Sequence, residues 1–520
     1  MELQASEQER NQKSLIKRIR ELNLKTVAYL TFLYILQGIP VGISTAIPLI
    51  LSSKKVTYSY QGIYSFTRWP FSVRILWAPI IDRFFIQKIG RRKTWIFICQ
   101  FMSGFLMLST ASLVDAVIST DMANRKSGIY ILTAIFTVLV VLSATNDITL
   151  DAWSIDLLPE KNAGLQSLCN SVGMSIGIFI GGSGFLIFEA AEFSNKIRTF
   201  FNVKNQHYGL ISIQKLFYIM GTALVITSIS ILKFKSEQSQ KKLKTDEEQA
   251  LVQKNAHLTS NFSIIDTYKL LWKILFIKPI RIWIILMITH RFAFSVESAF
   301  NIKLVEKGVA REKLSLIGAI LSPIMSWLPL ILIDLISRTK PLKLFRSFFI
   351  LKMVCIAAFG IFLFFFDHFR DNNGKFSLVF YIILAIWKLV DGFFSSATSI
   401  SLGSFNAHIS DRLISGIYMT FLSFWPNIGA NISRTSILFI LNLITIPNCE
   451  RDSKFGNITN TTFLGQRNSH KNQCSSLFEP IYPLTLVVCI FAAIWLLLST
   501  KYFNRLQKLA KSEWEIKLES

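Results

Sequence analysis

Apolar residues gather in about twelve stretches along this chain, each long enough at about 1.5 Å per helical residue to cross roughly 30 Å of hydrocarbon. They lie near 27 to 51, 61 to 85, 94 to 115, 129 to 151, 166 to 190, 213 to 232, 280 to 300, 315 to 337, 343 to 366, 377 to 402, 413 to 442 and 481 to 500. Uniformly apolar runs of this length predict membrane-spanning helices, not strands or soluble amphipathic helices. The fold class expected is an all-α polytopic membrane protein of about 12 transmembrane helices.

Two polar intervals set the domain plan. One separates the sixth span from the seventh and reads SEQSQKKLKTDEEQALVQKNAHLTSN, rich in Lys, Glu, Gln and Ser and unable to bury a core of its own. It divides the chain into an N-terminal segment (1–26), a six-helix half (27–232), a linker (233–279), a second six-helix half (280–500) and a tail (501–520). Two halves of this size are the spacing of repeats that face each other across a central cavity. The other interval, about 443–480, is the one long loop between spans of the second half.

Composition agrees with lipid burial: of 520 residues, 51% are hydrophobic, 44 are Phe and only 17% are charged, which excludes a soluble multi-domain protein. The net charge of +24 could suggest nucleic-acid binding. Its location argues otherwise. Lys and Arg concentrate in the N-terminal segment, the loop from Asp82 to Lys93, the linker and the tail, which an even span count places on one side. By the positive-inside rule both termini are expected in the cytosol. The first 26 residues lack an apolar core followed by a cleavage site, so no removable signal is expected.

The long loop then faces the opposite side. It holds the acceptor patterns Asn457-Ile-Thr459 and Asn460-Thr-Thr462, and Cys449 and Cys474 flank them. Glycosylation of Asn457 or Asn460 and a Cys449–Cys474 bridge are the expectations for such a loop in an oxidising compartment. The other four cysteines lie in or beside spans, where the plain reading is small buried side chains.

Charges inside apolar spans are costly unless they face a cavity or a partner. Arg68 and Arg74 stand in the second span beside Trp69 and Trp77, and Pro70 between the arginines predicts a kink. In the second half, His290, Arg291 and Glu297 fall in the seventh span, Lys388 and Asp391 in the tenth and Arg434 in the eleventh. Lys388 and Asp391 are three apart and can neutralise each other. Arg291 and Arg434 have no such neighbour on their own helices. Unpaired cations in both halves describe a cavity for a multiply charged anion, with Arg74, Arg68, Trp69, Trp77, Arg291, Lys388 and Arg434 as candidate substrate contacts.

A second set sits at the ends of spans two and four. Asp82, Arg83, Arg91 and Arg92 bracket a basic loop similar to that between the second and third helices of major facilitator transporters, and Asp147 and Asp151 share one helix face. The plain reading pairs Asp147 and Asp151 with Arg83, Arg91 or Arg92 in a gating latch; the alternative is a proton or substrate relay. Span five carries Gly173, Gly177 and Gly181 at intervals of four, a close-packing face for another helix. No phosphate loop, metal-spaced Cys/His cluster or nucleophile elbow is present in the sequence, so neither a metal site nor an enzyme is expected.

Taken in order, Leu36 to Pro40 (LQGIP), Trp69 to Ser72 (WPFS), Leu76 to Pro79 (LWAP) with Asp82, Gly90 to Lys93 (GRRK), Ala144 to Ile148 (ATNDI) with Asp151 and Trp153, Cys169 to Gly173 (CNSVG), and Tyr418 to Thr420 (YMT) with Asn427, Gly429 and Asn431 resemble the acetyl-coenzyme A transporter family of the endoplasmic reticulum membrane. The resemblance implies a major facilitator fold that imports acetyl-CoA from cytosol to lumen by alternating access, with no resident cofactor. Free CoA is the related ligand, the lipid bilayer is the surrounding medium, and a homodimer is compatible with the sequence. The roughly four negative charges of the cargo suit Arg and Lys in a partly desolvated cleft. Its adenine suits the faces of Trp69, Trp77 or Trp153. The family usually has Gln where Asn146 stands and an apolar residue where Arg68 stands, whereas position 74 is basic, which favours Arg74 for substrate. Two rivals follow from the same residues: a muropeptide-permease-like carrier, which shares the Trp-Ala-Pro and Ala-Thr-x-Asp-Ile patterns, and a membrane receptor or scaffold that transports nothing.

Overall fold

The computed structural model describes residues 24–120, 126–157, 164–233, 264–327, 339–371, 376–410, 415–445, 447–448, 475–476 and 479–514. Within them the first span is Leu24–Ser53, the third Arg91–Ser119, the fourth Lys126–Leu157, the sixth Ile213–Lys233, the ninth Pro341–Phe364, the tenth Leu378–Ile409, the eleventh Ser415–Ile444 and the twelfth Ile481–Leu506. Span eight is described from Arg311 to Trp327. Nine helices among the described residues are long and apolar enough to cross a membrane. Spans two and eleven fall short for a reason that bears on function. The second is broken into short segments, and the eleventh carries Asn427, Asn431, Ser433, Arg434 and Thr435 through its middle.

Prolines break span two as the sequence predicts. Pro70 and Pro79 each sit in the first turn of a new helical segment, Trp69–Val73 and Ala78–Arg83, where a missing N–H costs nothing. Tight 3-10 turns at Ser65–Arg68 and Arg74–Leu76 join the pieces. Span seven is interrupted in the same way, with a 3-10 turn at His290–Phe294 between Lys278–Thr289 and Glu297–Glu306. Arg68, Arg74 and Arg291 all lie in these turns. Broken helices at mid-membrane mark the cavity wall in transporters, because irregular backbone is tolerated there only against protein or water.

Two helices were not legible in the hydropathy. Ile264–Phe276 lies inside the interval expected to be linker; it seats Leu270 and Ile274 in the core and leaves Ile265, Trp272 and Phe276 exposed, the profile of a helix lying at an interface. Its Tyr268 hydroxyl donates to the Leu76 carbonyl of span two. The second, Ala191–Phe200, follows span five and is tied down by Arg198, which donates to the carbonyls of Tyr208 and Gly209.

Packing follows the small residues. Span one lies along span five, where Gly173, Gly177 and Gly181 face the backbone of Thr31 to Ile43. A side chain at Gly177 would run into the Ile35 carbonyl and Gly38. Gly177→Leu is therefore expected to prevent this contact and to abolish monodisperse protein on size-exclusion chromatography. Gly403→Ala, where a Cβ meets nothing within 4 Å, should leave the elution profile unchanged. The first half closes over Phe136, Phe217 and Met107, the second over Trp283, Phe345 and Phe405.

The chain crosses back and forth, so the loop 84–90, the helix Ile264–Phe276 and the end of span twelve share one end of the bundle, the basic-loop end. Several bridges between the halves lie at the opposite end. Ser52 donates to the Ile302 carbonyl (2.8 Å), Tyr58 to Glu306 (2.7 Å), and Arg311 to Glu189 (2.5 Å) and Ser53 (3.3 Å). A cavity of about 580 Å³ opens beside them, lined by Lys54, Asp115, Glu189, His207 and Arg311. Lys303 and Lys307 clamp Glu479 at 2.7 and 3.0 Å just before span twelve. Pro447–Asn448 pairs with Ser475–Ser476 as an antiparallel ladder, Asn448 opposite Ser475. Cys449, Cys474, Asn457 and Asn460 lie outside the described residues.

Candidate functional site: charges at the centre of the helix bundle

Three charge groups occupy the interior. The first joins spans one, two and four. Arg74 forms an ion pair with Asp147, whose other carboxylate oxygen accepts from the Gln37 amide at 2.6 Å. Asn146 extends the network by donating to the Gln37 oxygen at 3.3 Å, and the Trp77 indole donates to Thr145 at 3.1 Å. One turn on, Asp151 accepts from Tyr34 and Asn170, both at 2.8 Å.

This arrangement corrects part of the expected latch. Asp147 lies 5% exposed and is held by Arg74 and Gln37, not by the basic loop, because Arg74 projects from a turn of span two directly across from it. Asp147 and Asp151 do share a face, as their spacing predicts. At the end of span two Arg83 is exposed, Arg91 and Arg92 open span three, and the side chain of Asp82 lies outside the described set. Gly90 turns the chain between them with φ of 106°, a conformation suited to glycine, and Thr94 donates back to its carbonyl at 2.6 Å.

The second group lies within the second half. Lys352 of span nine reaches Glu297 of span seven at 3.0 Å and Asp391 of span ten at 3.5 Å. The intrahelical Lys388–Asp391 pair does not form: Asp391 turns to Lys352, and Lys388 donates to Asn301 at 3.1 Å. Lys352 was not singled out from the sequence. A lysine at the middle of a 24-residue apolar helix was the signal that could have found it.

Between these groups stand Arg68, Arg291 and Arg434, from spans two, seven and eleven, each near the middle of its span. Arg434 is the leading electrostatic neighbour of Arg68, and Arg291 and Arg434 are neighbours with Glu297 beside both. Asn431, one turn before Arg434, donates to Ser72 at 2.7 Å and to the Arg68 carbonyl at 3.4 Å, which holds spans two and eleven at this level. Among the described residues none of the three guanidinium groups has a hydrogen bond or ion pair, and the Arg291 Nε is buried without a partner. Three like charges gathered without a hydrogen bond or ion pair of their own among the described residues favour an anion in the space between them. The indole nitrogens of Trp69 and Trp425, next to Arg68 and in span eleven, are likewise buried without acceptors. Trp425 had no local sequence signal.

Two helical halves, helices broken part-way along and a charged interior make up a fold of the major facilitator type, similar to that of the nucleoside transporter NupG, with a TM-score of 0.55 at 13% identity over 94% of this chain and 100% of that one. The acetyl-coenzyme A transporter 1 family profile matches residues 26–343 and 335–516, and the chain belongs to that family. It is 28% identical over 502 residues to an uncharacterized protein of Schizosaccharomyces pombe (95% of this chain, 89% of that protein). It is 26% identical over 553 residues to an uncharacterized membrane protein of Saccharomyces cerevisiae (93% and 96%). A shorter similarity, 23% over 150 residues, covers 27% of this chain and 28% of the anhydromuropeptide permease of Escherichia coli.

Proposed function

We propose that this carrier moves acetyl-CoA across the endoplasmic reticulum membrane, from cytosol to lumen, by alternating access. The observation that carries the reading is the group Arg68, Arg291 and Arg434, cationic and unpartnered among the described residues at the meeting of the two halves. Phosphates compensate such a group through multiply charged, bidentate contacts. Trp69, half-buried beside Arg68, supplies a face for adenine. Arg74, Trp77 and Lys388 take other roles in this reading, since each already contacts a neighbouring span.

Alternating access needs bonds that break. The bridges of Tyr58, Ser52 and Arg311 close the end away from the basic loop, and parting them opens a path there. The Arg74–Asp147 pair and the Tyr34–Asp151 bond fix span four against spans one and two near the other end. With the basic-loop end in the cytosol, the closed end is lumenal.

That orientation places the loop before span twelve in the lumen, with a Cys449–Cys474 bridge and sugar on Asn457 or Asn460. The ladder supports the bridge, since Asn448 and Ser475 are opposite each other and the two cysteines are next in sequence beyond them. Glycosidase treatment of the expressed protein should shift its gel mobility, and Asn457→Gln with Asn460→Gln should remove the shift. Cleavage of this loop by protease added outside sealed microsomes would overturn the orientation. Saturable uptake of labelled acetyl-CoA, competed by free CoA and not by acetate or muropeptide, tests the cargo.

A further inference from the structure

The group around Lys352 has a charge imbalance that anion binding alone does not use. Glu297 and Asp391 converge on one ammonium, at 3.0 and 3.5 Å, while Lys388 is engaged by Asn301. Two carboxylates therefore share one direct cation. The Asp391 side chain is 8% exposed, and its Oδ1 is buried with no hydrogen-bond donor, Lys352 being within ion-pair range and out of bonding geometry. The Glu297 side chain keeps 34% exposure.

The remaining charged and titratable neighbours are Arg291 and His290 of span seven, Cys355 of span nine, Lys388 of span ten and Arg434 of span eleven. Lys388 keeps its charge on a neutral Asn301 partner, and Arg291 and Arg434 complete the offset of the surplus carboxylate while the arginine group is empty. A polyanion seated on them cancels that offset.

We propose that Glu297 and Asp391 form a carboxyl pair around Lys352 that takes up one proton when a polyanion occupies Arg68, Arg291 and Arg434, so that anion and proton travel together. The step is a protonation, a carboxylate oxygen of the pair gaining H⁺ from solvent and leaving the other carboxylate to Lys352. Linkage is reciprocal, so anion affinity rises as pH falls, by up to about tenfold per pH unit for one linked proton. The anion part rests on the arginine reading above, and the experiment separates the two.

Infrared titration of the purified full-length protein without any anion should show a carboxylic-acid band that Glu297→Gln and Asp391→Asn each remove, since either leaves one carboxylate for one lysine. Both substitutions are nearly isosteric, and unchanged elution on size exclusion confirms the fold. Calorimetry with acetyl-CoA in two buffers of different ionisation enthalpy should then give uptake of close to one proton per anion in the unaltered chain and close to none in either variant. A missing acid band, or equal proton uptake in all three proteins, overturns the proposal. A titrating acid band lost in both variants, with no acetyl-CoA heat at any pH, supports the proton site and contradicts the cargo.

Discussion

Arg291→Gln and Arg434→Gln should each weaken acetyl-CoA binding about ten- to a hundred-fold, the loss of one charge-assisted contact worth roughly 1.5 to 3 kcal/mol. Stability should move the other way. Each of these guanidinium groups lacks a hydrogen bond or ion pair among the described residues, and at Arg291 and Arg434 the burial cost outweighs the attraction of nearby Glu297, so removing one relieves that cost. The ligand-free variants should therefore melt at or above the temperature of the unaltered chain, while the thermal shift produced by acetyl-CoA shrinks. Arg68→Gln should behave in the same way. Ligand titration beside thermal unfolding reads both. Unchanged affinity, or a fall in melting temperature with full ligand response, would remove the three arginines from the site.

Breaking the Arg74–Asp147 pair should have the opposite signature. Asp147 is largely enclosed and Arg74 keeps 33% exposure, so Arg74→Ala leaves a carboxylate with only Gln37 to hold it. The cost expected is about 1.5 to 3 kcal/mol, below the roughly 3 to 5 kcal/mol of a fully buried pair. Asp147→Ala should cost a similar amount, and the double replacement should recover part of it, a coupling that a double-mutant cycle measures. Transport should fall in each single variant through the altered packing of span four on spans one and two. Additive losses in the double variant would mean that the pair is incidental.

These two outcomes divide a set of residues that the sequence could not divide. Arg74 and Arg68 look alike in an apolar run, and the resemblance favours Arg74. The deciding fact is which side of a broken helix each guanidinium leaves from, and that depends on the 3-10 turns around Pro70. The spans themselves were legible because membrane crossing imposes length and apolarity on every one of them. The glycine stripe of span five was legible because close helix approach needs small residues at a fixed interval.

Pairings between helices were not legible. Gln37 with Asp147, Lys352 with Glu297 and Asp391, and Lys388 with Asn301 join residues distant in sequence, and local spacing suggested the wrong partner for Asp391. The helix Ile264–Phe276 was hidden for a different reason. Only part of its surface is buried, so its mean hydropathy falls below that of a span, and the charged stretch before it lowers the average further.

In the function proposed above, the arginine group between the halves binds the phosphates of a transported nucleotide thioester. Uptake of labelled acetyl-CoA into proteoliposomes, with the unaltered chain and the Arg291→Gln/Arg434→Gln variant reconstituted at equal density, tests it most directly. Saturable uptake by the first, suppressed by free CoA and lost in the second, is the predicted result. Equal accumulation in both, or none above protein-free liposomes in either orientation of the gradient, would contradict it.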